Sequence, residues 1–261
     1  MFEKKTFAII KKSTDFSLEL SEKLKEKLLE KGFLEDEENP ETVFVVGGDG
    51  SLLFAIHRYL EKLGSVKFLG LKSGTLGFLI DYNAEELETL LSDIDEKNFE
   101  EETLPLLEIS LKKGTFFALN EVRVENLRKV QHLEVSLDGK VFENFAGTGL
   151  LVSTPLGSTA YNRSLGGAVL ERNLDLLELT EIAGTSFKNF RSLGTSLVLP
   201  GETVFSLSSE NFEEAFLGFD SEIISLRGEK KVVIKKSPDF SAILLRRKGT
   251  NFRESLTRLF S

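Results

Sequence analysis

Two rhythms of apolar residues alternate through the first hundred positions. Short apolar runs at 7–10, 43–46 and 66–71 read as buried strands. Between and after them stand residues 15–31 closing at Gly32, 51–63 closing at Gly64, and 84–94, with apolar residues spaced three and four apart as in amphipathic helices. Such alternation predicts a parallel α/β sheet. The acidic stretch 35–41, with Pro40, reads as the loop feeding the second strand. Near residue 100 the helical spacing stops. From there strand follows strand: 106–111, a turn at Lys113-Gly114, 116–124 as one strand, 133–137, a hairpin turn at Asp138-Gly139, and 141–145. Two later stretches, 197–207 and 215–234, read as hairpins, and 251–260 reads as a closing helix. The expected architecture is an N-terminal α/β domain with a parallel sheet (1–99) and a β-rich, sandwich-like domain (100–244). A C-terminal helix at 245–261 is expected to pack back on the first domain.

Composition removes several classes of chemistry. The chain has 261 residues, 41% of them hydrophobic, enough for one large or two modest soluble domains. No apolar stretch approaches the roughly 20 residues needed to span a bilayer. The N-terminus enters a strand rather than a signal peptide, so a cytoplasmic protein with no membrane partner is expected. With no cysteine there are no disulfides, no thiolate nucleophile and no cysteine-held zinc. Two histidines, His57 and His132, argue against a histidine metal cluster or a Ser-His triad. A net charge of -9 speaks against nucleic acid as a partner, because backbone binding rests on clustered Lys and Arg. Residues 223–261 do carry ten basic against three acidic side chains, which reads as a solvated face.

Candidate chemistry is concentrated in three glycine-bearing segments. Gly47-Gly48-Asp49-Gly50-Ser51 falls between an apolar strand and the apolar start of a helix. Glycines let backbone N–H groups approach an anion, and a helix N-terminus adds its positive dipole end. Asp49 would itself repel phosphate. Either it accepts a proton or helps hold a metal beside the phosphate, or it caps the helix. The second segment, 70–79 (GLKSGTLGFL), also follows a strand and includes Lys72, Gly74 and Phe78. The third, 153–162 (STPLGSTAYN), gathers hydroxyls around Tyr161, a combination suited to hydrogen bonding and stacking of a ring such as adenine. Neither G-x-x-x-x-G-K-[ST] nor G-x-G-x-x-G occurs, so a P-loop or classical dinucleotide fold lacks its fingerprint.

In this order, with Asn120-Glu121 between the second and third, these segments resemble those of the NAD kinase family. Its members carry a GGDG turn, a G-x-LGFL segment, an Asn-Glu pair and a TP-x-GSTAY segment. The resemblance implies transfer of the γ-phosphate of ATP, or phosphate from polyphosphate, to the adenosine-ribose 2′-hydroxyl of NAD. Mg²⁺ or another divalent metal would assist. Asp49 would then be the catalytic base, with Gly47, Gly48, Gly50 and Ser51 at the donor phosphates. Lys72, Gly74, Phe78, Asn120, Glu121, Thr148, Ser158, Thr159, Ala160, Tyr161, Asn162, Ser164, Ala183 and Asp220 would line the nucleotide sites. Similar proteins are homodimers or homotetramers.

The chain departs from the family pattern in places. Relatives commonly have a basic residue at Phe54, Asp at Thr148, Leu at Arg163, Pro at Ala168, and Asp-Gly-Gln where this chain has Asp220-Ser221-Glu222. Loss of the carboxylate at Thr148 bears on the nicotinamide half of the acceptor, where Glu143 or Glu222 could substitute. Two other readings use part of the pattern. A lipid kinase of the diacylglycerol or sphingosine type would share the GGDG turn but leave Asn120-Glu121 and the third segment unexplained. A non-catalytic dinucleotide-binding regulator would have no need of Asp49.

Overall fold

A computed structural model describes residues 4–74, 77–187, 189–253 and 256–257. The chain divides into two compact units, Met1–Leu104 with Phe240–Ser261, and Pro105–Asp239. The expected divisions after residues 99 and 244 fall within the long strands Phe99–Leu111 and Lys231–Arg247, each of which runs from one unit into the other. Residues 245–247 are strand rather than the start of the expected C-terminal helix; of 251–260, residues 252–253 and 256–257 are helical, and 254–255 and 258–260 lie outside the described residues.

The first unit is built on a parallel sheet in the order Leu34–Glu35, Thr6–Lys11, Thr42–Gly47, Lys67–Lys72, with Ile243 and Leu244 pairing beyond the last. Every residue of the central strand Thr42–Gly47 is buried, as expected where helices cover both faces of a parallel sheet. Helix Asp15–Glu30 starts where the Thr14 hydroxyl accepts the Ser17 N–H at 3.3 Å. Its Leu20, Leu24 and Leu28 pack in one cluster with Phe7, Phe44, Leu69 and Tyr82. The helix expected at 51–63 begins two residues earlier, at Asp49, and ends at Arg58, with a 3₁₀ turn at Leu60–Lys62. In register, Lys11 pairs with Val46 and Gly47 with Lys72. The three carboxyl ends therefore finish together, the usual place for a ligand in an open α/β sheet.

The second unit holds two antiparallel layers. One runs Lys140–Gly147, Gln131–Leu137, Phe205–Ser208 and the start of Lys231–Arg247. The other is six-stranded: Leu197–Pro200, Leu176–Ile182, Gly149–Ser153, Glu121–Glu125, Phe216–Phe219, Glu222–Ser225. A single apolar cluster joins Val135, Phe145, Phe205 and Ile234 of the first to Val122, Val124, Val152 and Leu217 of the second. The hairpin at Asp138-Gly139 has both residues at positive φ, 50° and 78°, as a type I′ turn requires.

Three expected elements change partners. The strand expected at 116–124 is two strands, Gly114–Ala118 pairing with Phe99–Leu111 and Glu121–Glu125 in the six-stranded sheet. The break falls at Leu119-Asn120, whose N–H groups are taken by the Asp220 carboxylate instead of a ladder. Likewise 197–207 is not a hairpin: Leu197–Pro200 and Phe205–Ser208 lie in different sheets. In 215–234 only Phe216–Phe219 with Glu222–Ser225 forms one.

Candidate active site

In the first unit, the GGDG turn is shaped by close approach. A Cβ on Gly47 would lie 2.2 Å from Ser51 Oγ and 2.6 Å from its Cβ. Gly48 is the N-cap in extended conformation (φ -123°, ψ -169°), without a side chain to cap the helix. Asp49, the first helical residue, does not cap it either. Its Oδ2 accepts the Phe78 N–H at 2.7 Å and its Oδ1 the Leu79 N–H at 3.1 Å. Those two bonds fix the carboxylate and tie the first glycine segment to the second, leaving lone pairs of both oxygens for other partners.

The second segment returns over the sheet end because glycines permit it. A Cβ on Gly70 would meet Ile80 Cγ1 at 2.5 Å; one on Gly77 would stand 3.1 Å from Lys72 Cδ and 3.4 Å from Asp49 Oδ1. Lys72 and Asp49 thus flank the same glycine. Lys72 is only 9% exposed, and its ammonium makes no hydrogen bond or ion pair among the described residues. Ser73 donates its N–H to Gly47 O (3.1 Å), and its hydroxyl shares a chain with Ser17 and Thr14, 2.7 Å at each step. Gly50 and Gly74 are exposed with open space around them, Ser51 and Phe78 are partly and fully buried, and Thr75 and Leu76 lie outside the described residues.

In the second unit, the six-stranded sheet carries polar side chains on the face away from its apolar core. Asp220, buried and at positive φ (48°), accepts the N–H groups of Leu119 (2.8 Å) and Asn120 (2.7 Å), and its own N–H donates to Glu121 O at 3.1 Å. Thr154 binds the other side of this stretch, its hydroxyl donating to Leu119 O at 2.8 Å and its N–H to Asn120 O at 2.9 Å. Gly157 approaches so closely that a Cβ there would be 2.1 Å from Asn120 O. Asn120, Glu121, Asp220 and the third glycine segment are therefore one constellation.

Not every expected residue presents itself to a ligand. Ser158 is fully buried, donating to Pro155 O at 2.6 Å and accepting the Leu170 N–H at 3.0 Å. Asn162 is equally enclosed between Glu178 Oε2 (2.8 Å) and the Thr180 hydroxyl (2.7 Å). These two tie the segment down, while Thr159 and Ala160 are partly buried, Tyr161 is 39% exposed and Ser164 is exposed. Thr148 donates its N–H to Ile182 O at 2.9 Å, and a Cβ on neighbouring Gly147 would stand 2.7 Å from Ala183 O, so Thr148 and Ala183 (φ 47°) share a second corner of this unit.

Two carboxyls are electrostatically unusual. Glu121 is 5% exposed, and its Oε2 has no hydrogen-bond partner among the described residues. Burial and then the Asp220 charge push its pKa up to about 7, against the pull of Arg123. Glu143 is also raised to about 7, by burial and then by Glu181. Sequence reading passed over Arg123 and Glu178. The signal for the first was present in Glu121-x-Arg123-x-Glu125, charges at period two on a strand whose alternate residues are Val122 and Val124.

Residues 119–239 match the model of the ATP-NAD kinase C-terminal domain. Over 211 residues the chain is 40% identical to the NAD kinase of Geobacillus stearothermophilus, covering 78% of each. The chain belongs to the NAD kinase family. Another member, the NAD kinase of Lactobacillus delbrueckii subsp. bulgaricus, is 40% identical over 214 residues, 80% of this chain and 81% of that one. The NAD kinase fold extends over nearly the whole chain. The crystal structure of yeast NADH kinase complexed with NADH aligns with a TM-score of 0.83 at 17% identity, covering 98% of this chain and 87% of that one. An NAD kinase from Archaeoglobus fulgidus in complex with ATP aligns at 0.79 and 24% identity, with 98% of each covered.

Proposed function

We propose that the chain is an NAD kinase that moves the γ-phosphate of ATP to the 2′-hydroxyl of the adenosine ribose of NAD, giving NADP. The observation that carries this is the Asp49 carboxylate, fixed by two backbone amides at the mouth of a glycine turn and not used as a helix cap. A lipid kinase would leave the Asn120–Glu121–Asp220–Gly157 constellation without a purpose.

Asp49 accepts the proton of the 2′-hydroxyl as its oxygen attacks phosphorus; a base held by two donors is positioned before substrate arrives. Gly47, Gly48, Gly50 and Ser51 supply N–H groups and the helix N-terminus to the phosphates. Lys72, buried beside Gly77 with an ammonium that makes no hydrogen bond or ion pair among the described residues, neutralises donor phosphate charge. Asn120 presents an amide to the adenine edge, Glu121 accepts ribose hydroxyls through the oxygen that lacks a partner, and Tyr161 covers the ring. Thr148 and Ala183 serve the nicotinamide half, with Thr159, Ala160 and Ser164 lining the adenosine. Asp220, Ser158 and Asn162 act one step back by holding Asn120 and the 154–170 segment in place.

A divalent cation such as Mg²⁺ fits this set in one way. Among the described residues no three His, Cys, Asp or Glu groups form a cage, whereas Mg²⁺ at phosphates needs only one or two carboxylates and keeps its waters. Asp49 has free lone pairs for it, and the bound ion would neutralise charge on the transferring phosphoryl group. We place the enzyme in the cytoplasm as a homodimer or homotetramer; among the described residues no helix is long and apolar enough to cross a membrane. An acceptor panel tests the reading: with γ-labelled ATP and Mg²⁺, label should pass to NAD, and to NADH more weakly or equally, but not to diacylglycerol. Transfer to the lipid alone would refute it.

A further inference from the structure

Arg123 sits at the hub of the dinucleotide constellation, in a strand position that the reading above leaves without a role. Its side chain is 14% exposed. Nε donates to Glu125 Oε2 at 3.0 Å, Nη1 donates to Asp220 O at 3.3 Å and stands 3.9 Å from Glu121 Oε1. The guanidinium carbon lies 5.7 Å from the centre of the Tyr161 ring. The room for it comes from Gly218, its direct partner on the neighbouring strand: a Cβ there would be 2.4 Å from Arg123 Cζ and 2.6 Å from Nε. One cation thus touches the backbone of the residue that fixes Asn120, faces the unpartnered carboxylate and supports the exposed aromatic.

We infer that Arg123 is a positioning residue for the acceptor site, opposing the protonation that burial favours at Glu121 and holding Tyr161 in place so that both can engage the adenosine of the dinucleotide. This rests on the assignment of that constellation to NAD. The geometry carries it: Glu121 is buried without a hydrogen bond to Oε2, and a carboxylate in that state reverts to the neutral acid unless a cation stands by. The groups facing it are few. Asp220 opposes its ionisation and Arg123 favours it, while Glu125 on the far side of the guanidinium takes up part of that charge. The adjoining strand Gly149–Ser153 brings no charged residue to the other flank. Ribose hydroxyls are donors, and a neutral acid with its proton on the facing oxygen accepts them poorly. Arg123 also stacks where an aliphatic side chain could not, since Tyr161 attracts a cation over its face.

The test is the pH dependence of NAD KM and kcat in Arg123→Leu, Arg123→Lys and Gly218→Ala, with full-length protein, ATP and Mg²⁺. In the wild type, KM for NAD should rise as pH falls through the range where Glu121 takes a proton. In Arg123→Leu that rise should move to higher pH by at least one unit, with KM about tenfold higher at pH 7 and kcat at saturating NAD changed less than threefold. Arg123→Lys should restore the pH midpoint while keeping part of the KM defect, because the charge returns but the planar stack does not. Gly218→Ala displaces the guanidinium without deleting it and should shift the profile the same way, which keeps the test open if Arg123→Leu does not fold. An unmoved pH midpoint in the folded variants, with or without a raised KM, overturns the inference. If the wild type forms NADP normally in that case, only the role of Arg123 falls; if it forms none, the assignment of the site falls first.

Discussion

On the proposed reading Asp49 is the base, a carboxylate fixed by two backbone N–H groups, and its substitution tests that role. Asp49→Asn keeps size and one accepted N–H bond but cannot take a proton, so kcat should fall by about 10² to 10⁴-fold while NAD affinity stays near wild type and the melting temperature drops modestly, because the amide NH2 then faces a backbone N–H. Steady-state kinetics with calorimetric titration checks this; a kcat near wild type would remove the base assignment. Glu121 offers a second, purely thermodynamic expectation. Its pKa rises from 4.5 to about 7 on folding, so the folded protein holds a proton that the unfolded chain has already released. Stability contributed by that proton is present below about pH 4.5 to 5 and is lost as pH climbs to 7. Glu121→Gln should therefore be more stable than wild type at pH 8, by roughly 2 to 4 kcal/mol at most, with the gap closing toward pH 5. Denaturant midpoints at the two pH values read it, and a gap that does not change with pH would contradict the buried-charge account. Thr148 is a residue-scale question of acceptor choice. A carboxylate about 4 Å from the cationic nicotinamide adds several kcal/mol of attraction near a protein surface before desolvation. Thr148→Asp should raise the NAD/NADH ratio of kcat/KM; an unchanged ratio would point to Glu143, already close to Glu181, as the group that sets it.

At the scale of elements, the glycines explain why short segments distant in sequence act together. Gly157 lets the third segment lie against the backbone of Asn120, and the obstacle to any side chain there is a carbonyl oxygen, which cannot swing aside. Gly157→Ala should push Asn120 out of place and raise NAD KM at least tenfold, since displacement by about 1 Å can cost 10²-fold. ATP KM should change less than threefold, and equal effects on both substrates would argue for a general loss of fold instead. Much of this layer could be read from the chain. The strand–turn–helix around Asp49 followed from apolar runs and glycine punctuation, and Asp138-Gly139 named its turn by residue type. The misread elements share a cause. Apolar alternation runs on through Leu119-Asn120 and from Leu197 to Leu207, but it carries no sign of which sheet a strand joins. That choice is made by long-range contacts: the Asp220 carboxylate, a hundred residues away in sequence, captures the amides at the first break.

Across the whole molecule, legibility followed the same division between local and distant causes. The change from alternating helices and strands to strands alone was visible near residue 100, but the units meet the chain at 104/105 and 239/240 because two strands pass through both. The three glycine segments stood out in the chain, yet spacing alone could not separate residues left exposed, such as Tyr161, from those that anchor the segment, such as Ser158 and Asn162; that distinction rests on Glu178, Thr180 and Leu170, which no motif includes. Nor could it reveal Arg123, whose importance depends on an absent side chain at Gly218. On the proposed reading the net charge of -9 is no obstacle to two anionic substrates, because sheltered Lys72 would meet the donor phosphates. The most direct test of the account is to incubate the full chain with ATP, Mg²⁺ and NAD, and to follow the product with a dehydrogenase that accepts only NADP while phosphorus NMR locates the new phosphate. The account predicts steady formation of NADP with the phosphate on the 2′-oxygen of the adenosine ribose. Consumption of ATP without NADP, or a phosphate on any other oxygen of the dinucleotide, would contradict it.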